Sequence, residues 1–158
     1  MAVSVSQSRS AEVDTGTDTG RTITPDALAG SYAGTKSFGA QLFAAGTDTA
    51  TGDGAAFFIV PAEYAGMNII DVKAAVYAAG TTGTTDIQIR NVTDSVDILS
   101  TKLTIDSAET TSETAATAAV INTSNDDLAE GDVIAFDVDA VSTTPATGLT
   151  VTVTCRLP

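Results

Sequence analysis

The sequence predicts an all-β fold: an antiparallel β-sandwich, jelly-roll-like, with seven or eight strands and an extended N-terminal arm. Threonine and alanine together make up about a third of the 158 residues, and β-branched threonine favours the pleated, half-buried surface of a sheet. Short apolar segments recur at regular spacing between loops rich in Gly, Thr and Asp. None of them has the periodicity of an amphipathic helix. Such a pattern favours a jelly roll first and an immunoglobulin-like sandwich second.

Residues 1–36 differ in composition from residues 37–158, so we divide the chain into an extended polar arm and a β-sandwich domain. The arm is poor in large apolar residues and cannot bury enough surface to offset its ordering entropy alone. We expect it to lie along another protein, pairing with an exposed strand edge and inserting single side chains into pockets. The alternative is a dispensable terminus. The candidate partner-binding side chains are Val3, Val5, Val13, Ile23, Leu28 and Tyr32.

The first half of the sandwich domain contains three predicted strands. Residues 38–44 are the first, and a turn rich in Thr, Asp and Gly follows them. Residues 56–60 are short and apolar on both faces, which is typical of a buried sandwich strand, and Pro61 ends that strand. After a bend at Gly66, residues 69–78 form a long strand. Its predicted inward face consists of Ile70, Val72, Ala74 and Val76.

The second half contains further predicted strands with alternating apolar and polar residues. They cover residues 86–90, 96–105, 133–141 and 149–157. In the second of them Leu99, Leu103 and Ile105 share one face. The last is the clearest, because its period of two continues to the end of the segment, and Cys155 on its apolar face is expected to be buried. Residues 110–119 are small and polar, and the sequence leaves open whether they form a loop or a short helix.

The charge balance and the missing residue types exclude several functions. The chain has 20 acidic and 7 basic residues, no His and one Cys. Without His there is no imidazole base and no His-ligated metal. One Cys cannot form an intrachain disulfide, a Cys-cluster zinc site or a thiol redox pair. A net charge of −13 opposes contacts with nucleic-acid phosphates and with anionic membranes, so we expect neither as a partner.

No motif in the sequence indicates a catalytic or ligand site. Two Asp-Thr-Gly triplets, at residues 14–16 and 18–20, imitate the loop of aspartic proteases. That chemistry needs two such loops brought together from opposite lobes or subunits. Polar residues at positions 48, 53 and 125–132 lack the ligand spacing of an EF-hand and are expected to form turns. We predict no catalytic residue, no cofactor and no metal ion.

Several blocks between residues 52 and 158 match a known family in their order and spacing. They are Asn68-Ile69-Ile70-Asp71-Val72, the segment 80–91, Ile105-Asp106-Ser107, Thr114-Ala115-Ala116-Thr117, the segment 125–132 and Gly148-Leu149-Thr150-Val151-Thr152-Val153. With them the chain resembles a small structural protein common in tailed-phage genomes. The resemblance implies a virion protein without enzymatic activity, either a capsid decoration (cement) protein or part of a fibre, typically a β-sandwich assembled as a trimer. It implies no site residues and no ligand, and residues 1–40 lie outside it.

We therefore expect a non-enzymatic capsid decoration (cement) protein of a tailed bacteriophage, located on the outer capsid surface. It would bridge neighbouring subunits of the major capsid protein, its expected partner, and so stabilise the head shell. A thin core with few aromatic residues favours a homotrimer whose subunits share apolar surface. The alternative is a tail-fibre or receptor-binding module that recognises host surface glycans. A small hydrolase is the third interpretation, and the residues for it are missing.

Overall fold

The strands of the protein form antiparallel sheets, as predicted. The computed structural model describes residues 7–16 and 21–158. Its strands are β1 (Lys36–Asp48), β2 (Gly52–Ile59), β3 (Asn68–Ala78), β4 (Thr85–Asn91), β5 (Val96–Asp97), β6 (Leu99–Thr101), β7 (Leu103–Ile105), β8 (Val120–Ile121), β9 (Val133–Ala140) and β10 (Thr147–Arg156). Sheet I has the order β1-β10-β3, and sheet II has the order β2-β9-β4-β5, with β7 also paired to β4. β6 and β8 form a separate pair. This arrangement confirms an all-β, sandwich-like fold.

The core lies between the inner faces of the two sheets. The connections β1–β2, β2–β3, β3–β4 and β9–β10 each pass from one sheet to the other, so apolar residues of both sheets meet in one interior. Near β1 and β2, Phe38 stacks on Phe58 with ring centroids 4.1 Å apart, and Tyr64 packs edge-on against both rings. The largest fully buried side chains include Phe136, Ile69, Ile87, Ile89, Ile134 and Leu149.

The alternating segments 133–141 and 149–157 correspond to the strands β9 and β10. β9 lies between β2 and β4, and β10 lies between β1 and β3. A strand with neighbours on both edges has its register fixed by the face that it buries. Ile134, Phe136 and Val138 in β9 and Val151, Val153 and Cys155 in β10 are accordingly buried.

Residues 56–60 are not a buried strand, contrary to the prediction. Residues 56–59 belong to β2, which pairs with no described strand other than β9 and forms the edge of sheet II. Phe58 faces the core, whereas Phe57 is 67% exposed and Ile59 is 59% exposed. The prediction is wrong because an apolar residue on each face of a segment does not reveal whether another sheet or strand covers both faces.

The predicted inward face of β3 is wrong at Ile70. The pairing of β3 with β10 shifts register between Ile69 and Asp71, so Ile70 is the extra residue of a β-bulge. The shift buries Ile69 and leaves Ile70 exposed. The other three residues predicted for this face, Val72, Ala74 and Val76, are buried as predicted.

Residues 96–105 form the three short strands β5, β6 and β7 rather than one strand. β5 and β7 pair with β4, whereas β6 turns away and pairs with β8. The side-chain amide of Gln88 fills the interruption: its Nε2 donates to the carbonyl of Leu99 at 3.1 Å, and its Oε1 accepts from the Leu99 N–H at 3.2 Å. Leu99, Leu103 and Ile105 are all buried despite the interruption.

Residues 110–119 form a loop that contains one 3-10 turn, at Ser112–Thr114. The loop runs beside β3. The Val76 N–H donates to the carbonyl of Thr110 at 2.9 Å, and the Ala74 N–H donates to Ser112 Oγ at 3.0 Å. The choice that the sequence left open is therefore decided in favour of a loop, which covers part of the outer edge of sheet I.

The described residues of the arm are folded rather than extended, in contrast to the prediction. They form helix α1 (Ser10–Thr15), helix α2 (Pro25–Ala29) and a 3-10 turn at Tyr32–Gly34. α2 begins at a capping residue, because Thr24 Oγ1 accepts from the Ala27 N–H at 3.2 Å and Pro25 is the first helical residue. Such caps stabilise short helices that have no apolar periodicity. For this reason the hydrophobic pattern of the sequence does not reveal them.

Candidate partner-binding surfaces

Three of the six predicted partner-binding side chains are exposed on the arm. Ile23 is 54% exposed, Leu28 is 44% exposed and Tyr32 is 78% exposed. We call these three residues the arm anchors. Val13 is half-buried in α1, and Val3 and Val5 lie outside the described residues. Single exposed apolar residues are ordinary, but here three large ones occur within ten residues of a polar arm.

The backbone that carries the arm anchors is held by hydrogen bonds. Asp14 Oδ1 accepts from the backbone N–H of Tyr32 at 2.5 Å, which joins α1 to the 3-10 turn. Arg156 of β10 donates from Nη1 to the carbonyl of Gly30 at 3.0 Å, which fastens the arm to the sandwich. Ala27, inside α2, is only 4% exposed. The exposed side chains therefore project from a fixed backbone.

A cleft of about 420 Å³ lies between the arm and the sandwich. Leu28 lines it from the arm, and Met67 and Leu157 line it from the sandwich. Lys36 and Glu63 also line the cleft, and the Lys36 ammonium donates to the backbone carbonyl of Glu63. The cleft thus combines an apolar lining with a polar rim and can accept an apolar side chain of a partner. Leu157, expected on the apolar face of the last strand, instead lies just beyond β10, is 40% exposed and joins Leu28 here.

An ion pair joins α1 to the chain that leads into α2. The Glu12 carboxylate binds the Arg21 guanidinium. The hydrogen bond from the Arg9 backbone N–H, and next the hydrogen bond from Arg21, hold the pKa of Glu12 below its ordinary value. Asp14, from the first Asp-Thr-Gly triplet, uses its carboxylate for a hydrogen bond within the arm. Asp18, from the second triplet, lies outside the described residues.

A groove of about 250 Å³ on the outer face of sheet I is a second candidate surface, and we call it the sheet I groove. Phe43 of β1 and Tyr77 of β3 line it, and Tyr77 is 77% exposed. Gly148 also lines it, with φ at 61°, and a Cβ at this position would lie 3.0 Å from the Cα of Ala45. The groove therefore depends on glycine at this point. Its polar lining residues are Gln41 and Thr150.

The outer edge of β2 is a third candidate surface. Phe57 and Ile59 project from it on the outer face of sheet II, and Ala135 of β9, opposite Phe57, is only 3% exposed. The sequence pattern does not identify these two residues as binding residues, because it predicts a buried strand at residues 56–60. The missing charge between residues 54 and 60 is the signal that could have identified an apolar edge.

The polar residues of the segment 125–132 stabilise the loop that they form. Asp126 Oδ1 accepts from Asn68 Nδ2 at 3.1 Å. Asp132 Oδ2 accepts from Asn91 Nδ2 and from the Ala129 N–H, each at 3.0 Å. Within residues 7–16 and 21–158, no three acidic or thiol side chains are grouped closely enough to hold a metal ion. The segment 125–132 is a loop with turns, as predicted. The prediction of turns at positions 48 and 53 is wrong, because β1 continues to Asp48 and β2 already begins at Gly52.

Because the thiol of Cys155 is buried, we expect the free energy of unfolding to decrease at alkaline pH. Burial raises the pKa of Cys155 to about 12, whereas an unfolded chain releases this proton near pH 8.5. Between roughly these pH values the folded state binds one proton more than the unfolded state, so its free energy of unfolding should fall by about 1.4 kcal/mol per pH unit. Urea unfolding of the wild type and of Cys155→Ala should show this difference in slope. Equal pH slopes would show that the thiol is not desolvated.

The three surfaces belong to a chain whose described helices are short. Within residues 7–16 and 21–158, no helix has the length and hydropathy needed to cross a membrane. No family model matches the chain, and no curated protein and no solved structure matches it either.

Proposed function

We propose that this chain is a non-enzymatic virion structural protein, a capsid decoration (cement) protein that stabilises the outer head shell of a tailed bacteriophage by bridging major capsid subunits. The observation that carries the proposal is the arm. Its backbone is fastened to the sandwich by Arg156, while the arm anchors Ile23, Leu28 and Tyr32 face solvent. Protein interfaces are enriched in aromatic anchors of this kind. The resemblance of residues 52–158 to phage structural proteins supports the class of partner.

The charge of the chain supports an outer position on the capsid. A protein with a net charge of −13 is repelled by packaged DNA, which favours the outside of the shell over its interior. The proposal includes a homotrimer, because few aromatic residues build the core and shared apolar surface between subunits would add to its stability.

The strand order supports a jelly roll. In this fold eight strands form two Greek keys across two sheets. The first strand pairs with the last, the second with the second last, and the remaining strands continue this nesting. The pairs β1–β10, β2–β9 and β4–β5 follow this nesting. The remaining pair would join β3 to β8, but β8 pairs with β6. Three nested pairs favour the jelly roll over the immunoglobulin-like sandwich.

Replacing Tyr32 with Ser is expected to weaken binding to capsids assembled without this chain by at least about tenfold. Truncating an aromatic hot-spot residue costs about 2 kcal/mol or more of binding free energy, and about 1.4 kcal/mol already corresponds to tenfold in affinity. The fold should be unaffected, because Tyr32 is 78% exposed. Cosedimentation with capsids measures the affinity, and electron microscopy locates the bound protein on the head.

The matched control is Tyr77→Ser, which removes an equally exposed tyrosine from β3, outside the arm. It should bind capsids like the wild type. Deletion of residues 1–30 should abolish binding and keep the β spectrum. If the folded deletion variant decorates capsids as tightly as the full chain, the arm is not the attachment site and the proposal fails at that point.

A receptor-binding module for host surface glycans is the second candidate function, and the sheet I groove favours it. The exposed Tyr77 offers an aromatic ring for the apolar face of a sugar, and Gln41 and Thr150 offer polar groups for its hydroxyls. The same two variants distinguish the candidates on a panel of bacterial surface polysaccharides. A receptor-binding module would lose binding in Tyr77→Ser and keep it in Tyr32→Ser.

A further inference from the structure

The backbone of β2 has one edge that no strand of the described residues covers. Val60, directly after β2, exchanges two backbone hydrogen bonds of 2.8 Å with the turn that precedes β9. Because backbone groups alternate in direction along an antiparallel strand, Phe58 also faces β9. The N–H and C=O groups of Ala55, Phe57 and Ile59 therefore point to the uncovered edge. We call residues 55–59 the β2 edge.

The two ends of the β2 edge are defined by the backbone. A register shift between Gly52 and Ala56 marks a bulge, and Gly54 within it has φ at 63°. The Gly54 N–H is bound by Asp137 Oδ1 at 2.6 Å, so it does not extend the edge. At the other end Pro61 has no N–H to donate. The straight part of the edge is thus centred on Phe57.

The straight part of the β2 edge carries none of the residues that usually protect edge strands, and the bulge and Pro61 lie only at its two ends. Such strands usually carry lysine, proline or an inward-pointing charge, and residues 54–60 contain none of these. Phe57 is 67% exposed and Ile59 is 59% exposed. An uncharged edge with aromatic and β-branched residues is a template for another strand. This edge is therefore suited to pairing with a further chain.

We propose that the β2 edge pairs with the β2 edge of a second copy of this chain, antiparallel and about a two-fold axis at Phe57. In this register Phe57 lies opposite Phe57 of the second copy, and Ala55 lies opposite Ile59. Two phenyl rings can stack with an offset, and the small alanine leaves room for the isoleucine. One surface thus fits itself, as an interface with two-fold symmetry requires.

The net charge of the chain also favours a second copy as the partner of the β2 edge. Each copy has a net charge of −13, so most pairs of surface patches would bring carboxylates together. Residues 54–60 form an uncharged run, and two copies that meet there place no charges of the edges opposite each other. The pairing joins two chains, or two trimers if another face of the protein builds the trimer.

Replacing Phe57 with Lys tests the pairing, because a lysine at the centre of the edge would face its own copy. Light scattering of the full chain at micromolar concentration should give half the wild-type mass for Phe57→Lys. The control Tyr77→Lys introduces the same charge at an exposed aromatic residue of sheet I and should keep the wild-type mass. Equal masses of Phe57→Lys and wild type would overturn the proposal. If Phe57→Lys keeps the wild-type mass but loses capsid binding, the edge binds the capsid protein and not a second copy.

Disulfide cross-linking tests the register of the paired edges without depending on the affinity of the two copies. Opposite residues of a hydrogen-bonded pair have Cα atoms about 5.5 Å apart, which lies within the range of a disulfide. The variant Phe57→Cys should therefore form a disulfide-linked dimer under mild oxidation, and Tyr77→Cys should not. Cys155 is fully buried and does not compete. Cross-linking of Phe57→Cys no faster than that of Tyr77→Cys would contradict the two-fold register.

Discussion

Replacing Arg90 with Ala is expected to lower the free energy of unfolding clearly more than the loss of an exposed ion pair does, because the change leaves the carboxylate of Asp137 without its counterion. Arg90 Nε and Nη2 donate to the two carboxylate oxygens of Asp137 at 2.8 and 3.3 Å. The side chain of Asp137 is only 5% exposed. Its carboxylate also accepts the Gly54 N–H at 2.6 Å, so the ion pair links β4, β9 and β2. The hydrogen bond to Asp137 holds the pKa of Arg90 above its ordinary value.

The two partners of this ion pair should not be equivalent. The Arg90 side chain is 32% exposed, so in Asp137→Ala the guanidinium can bind water, and we expect a loss of only about 1–2 kcal/mol. Lys102 and Asp139 provide the matched control, at 2.9 Å, with side chains 46% and 29% exposed. Lys102→Ala should cost less than about 1 kcal/mol. Urea unfolding of the variants measures these differences. A loss in Arg90→Ala no larger than that in Lys102→Ala would show that desolvation of Asp137 is not decisive.

Alternation in the sequence predicts a strand well where both of its edges are paired. β9 and β10 have neighbours on both sides, so a one-residue slip would expose their whole apolar face, and the pattern of Ile134, Phe136 and Val153 agrees with the structure. The prediction failed at Ile70 because a bulge changes which residue faces inward. It also failed at residues 96–105, where Gln88 replaces a strand partner with its side chain. Neither feature has a period that the sequence pattern could reveal.

Of the candidate surfaces, too, some could be predicted from the sequence and others could not. The arm anchors could be found from the sequence, because Ile23, Leu28 and Tyr32 are isolated apolar residues in a polar segment. The outward position of Tyr77 follows from alternation with Val76, but the exposure of Phe57 does not, because its segment is apolar on both faces. The exposure of Phe57 depends on the number of neighbouring strands and on which face the opposite sheet covers. Those are properties of the sheet order, which residue types along one strand do not determine.

Replacing Phe136 with Ala is expected to lower the free energy of unfolding by about 3–5 kcal/mol. Phe136 is fully buried in β9, between its partners Ala56 of β2 and Ile89 of β4. The change removes the transfer free energy of the phenyl ring and leaves a cavity. Phe136 is also one of only five phenylalanines in a chain without Trp, so few other large side chains can fill the space. Urea unfolding monitored by circular dichroism measures the loss.

The matched control is Phe57→Ala, since Phe57 lies on the neighbouring strand β2 with its side chain 67% exposed. Within one chain the ring is mostly in water, so its removal should change the free energy of unfolding by less than about 1 kcal/mol. If two copies pair through β2, the midpoint of unfolding should depend on protein concentration in the wild type and should lose that dependence in Phe57→Ala. Phe136→Ala should keep the dependence while unfolding at lower urea, because it weakens the core and leaves the edge intact. Equal losses in the two variants at low protein concentration would contradict the assignment of Phe136 to the core and Phe57 to the surface.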